Sequence, residues 1–402
     1  MPEPPAVLPF APGADAVDLK HLRAFVAVAD NLNFARAAER LYVSAPALSR
    51  QIRSLERVVG CQLFHRSTHR VELTLAGEAL LDSARTVLAE LDRGLKATRA
   101  VGGELDARMV TLLDPIVAAG RDAGDLCAVR AANERMHAQF PLSSDVEVLP
   151  VSAGGVPGLR LTPALPAGTT ELLFLHGGGF VLGSAFGYRA LVAALIAETG
   201  TTAVIPDYRL APEHPFPAAL DDAVSVYRWL LTSHKPDQLV VAADSAGACL
   251  ALLLMIRLRD EGIPLPSAAV LLCPWLDLTM PSRMPSSART AVPIRELVTG
   301  YVDSYLGGVP IDDPRVSPLH ANLTGLPPML VQAATGDTML QDARMLTDRA
   351  TECGVDVRLE LYPVPTHTFH FFWSFLPEAA TALRSAGAFV RSREKSPAER
   401  VG

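Results

Sequence analysis

No run of apolar residues in this 402-residue chain is long enough to cross a bilayer, so a membrane-spanning helix is excluded although 49% of the residues are hydrophobic. Cysteine is scarce. The five thiols, Cys61, Cys127, Cys249, Cys273 and Cys353, are odd in number and show no paired spacing. That argues against a disulfide framework or a zinc site and leaves them as expected buried thiols. Met1 to Gly13 lacks the basic region and apolar core of a secretory signal. The expectation is a soluble, cytoplasmic protein with no membrane partner.

A chain-wide excess of positive charge is missing too, with a formal net charge of −7, yet the balance is uneven. Residues 1–100 hold 13 Lys and Arg against 11 Asp and Glu, whereas the remainder holds 23 against 32. The length fits two or more domains at ~100–200 residues each, and the asymmetry gives them different partners. Between Arg36 and Arg70 seven arginines face only Glu39 and Glu56, a balance suited to a phosphate backbone.

Three short helical patterns give that charge its context: Leu19 to Ala29, Phe34 to Leu41 behind an Asn33 N-cap, and Ala45 to Val59. In the third, Leu48, Ile52, Leu55 and Val59 recur on one face, and Pro46, Ser49, Arg50, Arg53 and Arg57 on another. One face packs while the other can read a major groove. Asn33-Phe-Ala-Arg-Ala-Ala-Glu-Arg-Leu41, Ala47-Leu-Ser-Arg-Gln-Ile-Arg-Ser-Leu-Glu56 and Leu63-Phe-His-Arg-Ser-Thr-His-Arg70 resemble the winged helix-turn-helix of LysR-type regulators. The resemblance implies double-stranded DNA as partner, with Pro46, Ser49, Arg50 and Arg53 on the DNA-facing side and Arg66 anchoring the wing. From Ala76 to Thr98, Leu81, Ala84, Leu88, Leu91, Leu95 and Thr98 fall at heptad a and d positions, a seam that invites a partner helix. In LysR-type proteins such a linker helix pairs two chains, which implies a homodimer or higher oligomer. Gly102-Gly103 marks a hinge.

Beyond it the pattern changes to strands alternating with helices. Strand runs at Glu171–Leu175, Thr202–Asp207, Gln238–Asp244, Ala268–Cys273, Met329–Ala334 and Val355–Leu361 alternate with helical stretches, which predicts an α/β, doubly wound, mostly parallel sheet. Asp244-Ser-Ala-Gly247 interrupts strand and helix as a nucleophile elbow does, raising the Ser245 hydroxyl above the sheet, although Ala243 stands where that motif prefers glycine. His176-Gly-Gly-Gly-Phe180 ends its strand in a turn whose backbone N–H groups suit an oxyanion.

The chain order serine, acid, histidine is that of α/β-hydrolases. It selects Asp337 beyond the Met329–Ala334 strand and His367 beyond the Val355–Leu361 strand; Asp342 is a rival acid, expected on the helix surface, and His370 a rival base, expected to cap or pack. This chemistry requires no metal and no cofactor. Together with Asp207-Tyr-Arg-Leu-Ala-Pro-Glu-His-Pro-Phe-Pro217 and Pro274-Trp-Leu-Asp-Leu-Thr279, these motifs resemble the hormone-sensitive lipase family of esterases over Leu112 to Arg393. The resemblance implies Ser245, Asp337 and His367 as triad; Gly177, Gly178 and Ala246 as oxyanion donors; Glu213 and His214 as braces; and helical cap segments at about 107–140 and 281–326. Ala243, Ala248 and Thr368 depart from the family's glycines. The expected organisation is a winged helix-turn-helix at 17–75, a linker helix at 76–103 and an α/β-hydrolase at 104–395. The expected function is a serine carboxylesterase acting on short- to medium-chain acyl esters, fused to a DNA-binding regulator. Two alternatives remain open: a ligand-sensing transcription factor whose hydrolase domain binds an ester without turnover, and an esterase whose helix-turn-helix no longer binds DNA.

Overall fold

The computed structural model describes residues 17–41, 43–66, 71–88, 108, 109, 111, 112, 116, 119, 125–279 and 294–393, in two compact units, Met1–Asp106 and Ala107–Gly402. No described helix is long and apolar enough to cross a membrane.

In the first unit, α1 (Leu19–Asn31), α2 (Phe34–Arg40) and α3 (Ala45–Val59) are each started by a short polar side chain. Asn33 Oδ1 accepts from the N–H groups of Ala35 and Arg36 at 2.9 and 3.1 Å, and Ser44 Oγ from Ala47 at 3.4 Å, meeting donors that a helix start leaves unpaired. Leu48, Ile52 and Leu55 bury the inner face of α3 against Phe25, Val28 and Ala37. The strands β1 (Phe64–Arg66) and β2 (Val71–Leu73) pair antiparallel, with Phe64 opposite Leu73, in the hairpin expected of a wing. Residues 75–88 are helical (α4), and here the heptad reading is modified. Ala84 is buried in the unit's own core and Leu81 packs against that core, so the seam begins as an internal contact. Leu91, Leu95, Thr98 and the Gly102-Gly103 hinge lie outside the described residues.

The second unit is built on an eight-stranded sheet of order β10-β9-β8-β7-β5-β6-β4-β3. The parallel part comprises β5 (Glu171–Leu175), β6 (Thr202–Pro206), β7 (Leu239–Asp244), β8 (Ala268–Leu272), β9 (Met329–Ala334) and β10 (Val357–Tyr362). Sequence reasoning missed the antiparallel hairpin β3 (Val146–Ala153) and β4 (Val156–Pro163) that extends it. Its signal is the Gly154-Gly155 turn between two β-rich runs, and both glycines have positive φ, as a two-residue hairpin turn of this hand requires.

Helices cover both faces. On one face, α7 (Ala218–Leu230), α8 (Ser245–Asp260) and α10 (Leu340–Glu352) share a continuous apolar core with inward residues of β5, β7, β8 and β9. On the other, α6 (Ala185–Thr199) packs with α11 (Pro377–Arg391). Two further helices, α5 (Leu126–His137) and α9 (Ile294–Leu306), fall in the segments expected to form a cap, of which 281–293 lie outside the described residues. The cysteines divide: Cys249 and Cys273 are buried and Cys353 is intermediate, but Cys61 and Cys127 are exposed, against expectation. Cys61 lies in the turn after α3, and Cys127 is on the outer face of the first turn of α5.

Helix α8 begins at Ser245 itself, because Gly247 lets its first turn lie directly on the end of β5. A Cβ at Gly247 would stand 2.1 Å from Leu175 O and 2.5 Å from His176 O. Gly247→Ala is therefore expected to cost about 1–3 kcal/mol through overpacking against backbone that cannot yield, read as a lower denaturation midpoint with an unchanged m-value. A midpoint equal to wild type would show that strand and helix can separate freely here.

Candidate active site

The buried strand β7 delivers Ser245 at its carboxyl end, where the backbone turns left-handed with φ +49°. A non-glycine residue holds that conformation only where the surrounding packing enforces it. His367 follows β10 and Asp337 follows β9, so three loops from the carboxyl ends of the strands bring the three residues together. His367 Nε2 lies 2.8 Å from Ser245 Oγ, and His367 Nδ1 lies 2.7 Å from Asp337 Oδ2. Asp337 Oδ1 accepts from Met339 N–H at 2.9 Å.

Burial opposes charge on His367, but the charge and hydrogen bond of Asp337, helped by the Asp244 charge, outweigh it and raise its pKa above the ordinary 6.5. Burial likewise penalises the Asp337 carboxylate, and the His367 charge and hydrogen bonds reverse the sign and hold its pKa low. The rivals are placed elsewhere. His370 is buried with Nε2 3.0 Å from Gln332 Oε1, and burial lowers its pKa to about 3, which keeps it neutral. Asp342 is wholly buried rather than on the surface: its Oδ2 accepts from the N–H groups of Leu276 and Asp277 at 2.8 and 2.9 Å. The helical spacing that suggested exposure overlooked a loop folded across the start of α10.

The glycine loop requires a second correction. Gly177 N–H donates to Asp244 Oδ1 at 2.7 Å and is not available to an oxyanion. Gly178 and Gly179, at φ +110° and +64°, make no such bond from their N–H groups among the described residues, nor does Ala246. Gly179 was missed because the motif shows three equal glycines; the fold distinguishes them by what each N–H meets. Asp244 was missed as well. It is 1% exposed, receives the Tyr188 hydroxyl on Oδ2 at 3.2 Å, and burial raises its pKa to about 7. His176 is buried beside Gly177 O at 2.8 Å and stacks on Tyr208, whose hydroxyl donates to His176 O at 2.6 Å.

Neighbouring residues lock this loop in place. Tyr301 of α9 lies where a Cβ at Gly179 would come within 2.6 Å of its ring, and Tyr305 stacks on Phe180 at 3.7 Å between centroids. Arg130 of α5, which sequence reasoning did not single out, donates to Glu213 at 2.6 and 2.8 Å and to the carbonyls of Val181 and Ala211 at 2.8 and 3.0 Å. The Arg130 hydrogen bond lowers the Glu213 pKa to about 2. Ala243 and Ala248 sit fully buried, and Thr368 stands at φ +50°, where glycine would be unstrained. In the N-terminal unit Pro46, Arg50, Arg53 and Arg57 are exposed on α3, Ser49 is half-buried, and Arg53 Nε donates to Ser49 O at 3.3 Å. Arg66 ends β1; its side chain lies outside what is described.

Comparison with known proteins follows this division of the chain. The family described as alpha/beta hydrolase fold matches residues 172–371, and that of bacterial regulatory helix-turn-helix proteins of the lysR family matches residues 19–78. An acetyl-hydrolase of Streptomyces hygroscopicus is 39% identical over 249 residues, covering 60% of this chain and 82% of its own. An esterase of Acinetobacter venetianus is 36% identical over 270 residues, covering 66% and 88%. The crystal structure of an esterase from the bacterial hormone-sensitive lipase family is 36% identical, with a TM-score of 0.63 over 70% of this chain and 98% of that one. The chain therefore belongs to the hormone-sensitive lipase family of α/β-hydrolase-fold esterases, joined to a LysR-family helix-turn-helix domain.

Proposed function

We propose that residues 104–395 form a serine carboxylesterase, that residues 17–75 bind double-stranded DNA, and that residues 76–103 pair two chains. The observation that carries the catalytic reading is the relay Ser245 Oγ, His367 Nε2, His367 Nδ1, Asp337 Oδ2, with links of 2.8 and 2.7 Å. Ser245 Oγ attacks the acyl carbonyl while His367 Nε2 takes its proton, and Asp337 holds the tautomer and stabilises the imidazolium. The N–H groups of Gly178, Gly179 and Ala246 receive the oxyanion. His367 then protonates the leaving alcohol, and water releases the acyl group by the same steps in reverse roles. An acetyl-hydrolase among the relatives supports short- to medium-chain acyl esters as substrates, and a DNA-binding partner domain supports the cytoplasm as its place of action. The complete relay favours turnover over a purely ligand-sensing role.

Ser245→Ala is expected to lower kcat by roughly 10⁶-fold and to abolish labelling by an organophosphonate, with the circular dichroism unchanged. Wild-type protein that neither labels nor hydrolyses any ester in a series of p-nitrophenyl esters would favour the sensor reading instead.

The reaction needs His367 neutral, so kcat/KM falls as pH drops through its pKa, and the midpoint of that acid limb is expected above the ordinary 6.5. Asp337→Asn removes the charge that raises it. The variant should lose about 10⁴-fold in kcat and its acid limb should move to lower pH; a limb that stays in place would assign the titration to another group, with Asp244 the first to test.

For the N-terminal unit, the exposed arginines of α3 predict salt-dependent binding to the DNA flanking the protein's own gene. Arg50→Ala or Arg53→Ala should weaken it by ~1–3 kcal/mol if that side chain reads a base, with ester hydrolysis unaffected. Absence of any footprint at low salt would leave the domain without a DNA partner.

A further inference from the structure

Cys273 is a polar side chain at the base of the site, where its thiol hydrogen-bonds the Asp337 carboxylate but takes no part in ester hydrolysis. It follows β8 at φ +44°, is 1% exposed, and its N–H donates to Gln332 O at 2.7 Å. That turn carries the thiol beneath the relay: Cys273 Sγ, a carboxylate oxygen of Asp337 and a ring nitrogen of His367 all lie within 4.8 Å of one another. No other three histidine, cysteine or carboxylate side chains converge so closely among the described residues. Behind the sulfur, 4.0 Å away, is His370 Nδ1. The Gln332 amide nitrogen donates to Glu360 and to Ala382 O at 2.8 and 2.9 Å, so its oxygen faces His370 Nε2 as an acceptor. His370 therefore carries its proton on Nε2 and turns a bare lone pair toward the thiol.

We propose that Cys273, Asp337 and His367 bind a soft divalent cation of the zinc or cadmium class, and that its binding switches the esterase off. The proposal rests on the reading of Ser245, His367 and Asp337 as the working triad. A thiolate, an imidazole and a carboxylate are a donor set such ions accept, whereas magnesium and calcium prefer oxygen alone. The side chain of His367 is 27% exposed, which leaves an approach from the cleft to an otherwise buried cluster. On binding, the thiol loses its proton, and thiolate and carboxylate together balance the double charge. The ring nitrogen nearest Asp337 is Nδ1. An ion there displaces the hydrogen-bonded proton, and the neutral ring then keeps its proton on Nε2, the atom 2.8 Å from Ser245 Oγ. A protonated Nε2 cannot accept from the serine. Inhibition thus comes from the wrong tautomer and requires no obstruction of the substrate, and because one proton is released it should strengthen as pH rises.

The test uses the full chain. Zinc or cadmium chloride should inhibit hydrolysis of a short p-nitrophenyl ester, EDTA should restore it, and magnesium at equal concentration should have no effect. Cys273→Ser and Cys273→Ala should raise the inhibitory midpoint about tenfold or more, each measured against its own metal-free rate, while Cys61→Ser and Cys127→Ser, at the exposed thiols, should leave it unchanged. Binding is read separately from activity as the ultraviolet charge-transfer band of cadmium thiolate in Ser245→Ala protein. The band should saturate at one ion, disappear in Cys273→Ser and weaken in His367→Gln. If the wild type hydrolyses esters but inhibition and band persist in both Cys273 variants, the metal site is overturned and the esterase reading survives. If the band behaves as expected but no ester is turned over, the site stands and the catalytic reading falls. Should both Cys273 variants misfold, the His367→Gln titration decides: an undiminished band rejects the site.

Discussion

The close approach of α8 to the end of β5 is the constraint from which the rest of the site follows. Only a residue without a side chain at position 247 lets the first helical turn rest on the carbonyls of Leu175 and His176. That contact makes the chain reverse within one residue, which forces Ser245 into the left-handed region and lifts its hydroxyl from the sheet. The same contact brings Asp244 level with the glycine loop. Its carboxylate therefore binds Gly177 N–H instead of capping its own helix, and the loop and the elbow become one rigid piece. Gly178 and Gly179 are left with N–H groups that make no hydrogen bond among the described residues, whereas that of Gly177 is committed to this junction.

Much of this architecture was legible because it depends on local signals. Apolar strand runs, glycine turns and the order serine, aspartate, histidine are properties of short stretches, and each parallel strand was placed within a residue or two. The hairpin Val146–Pro163 was overlooked because its burial alternates weakly: β3 is the sheet's edge strand and β4 lies next to it, and both are only partly buried. Roles set by tertiary partners were not legible. Nothing near Asp342 in the chain shows that the backbone of Leu276 and Asp277 will arrive to bind its carboxylate. Nothing near Arg130 shows that it will span Val181, Ala211 and Glu213. Three adjacent glycines look alike until one of them meets Asp244.

Buried carboxylates divide the labour around the relay. Asp337 is surrounded by donors, from His367 and from Met339, which hold its pKa low against burial. Asp244 is more deeply enclosed and receives one backbone N–H and one phenol, so burial dominates and its pKa rises to about 7. The two aspartates are shifted in opposite directions themselves, yet the charge of each raises the pKa of the same histidine. Small departures from the family's glycines are absorbed where the backbone permits them. Ala243 lies in an extended strand and Ala248 within a helix, conformations any residue adopts, whereas Thr368 bears left-handed strain beside His367.

Over the described residues 75–88, the heptad pattern of the N-terminal unit is met by internal packing. Hydrophobic residues at a and d spacing describe a stripe, and a stripe is satisfied by any apolar surface that meets it. Over 75–88 that surface is the domain's own core, since Leu80, Leu81 and Ala84 pack with Phe25, Leu48 and Phe64. Arg85, one helical turn beyond Leu81, pairs with Asp30 at 2.7 Å, further tying α4 to α1.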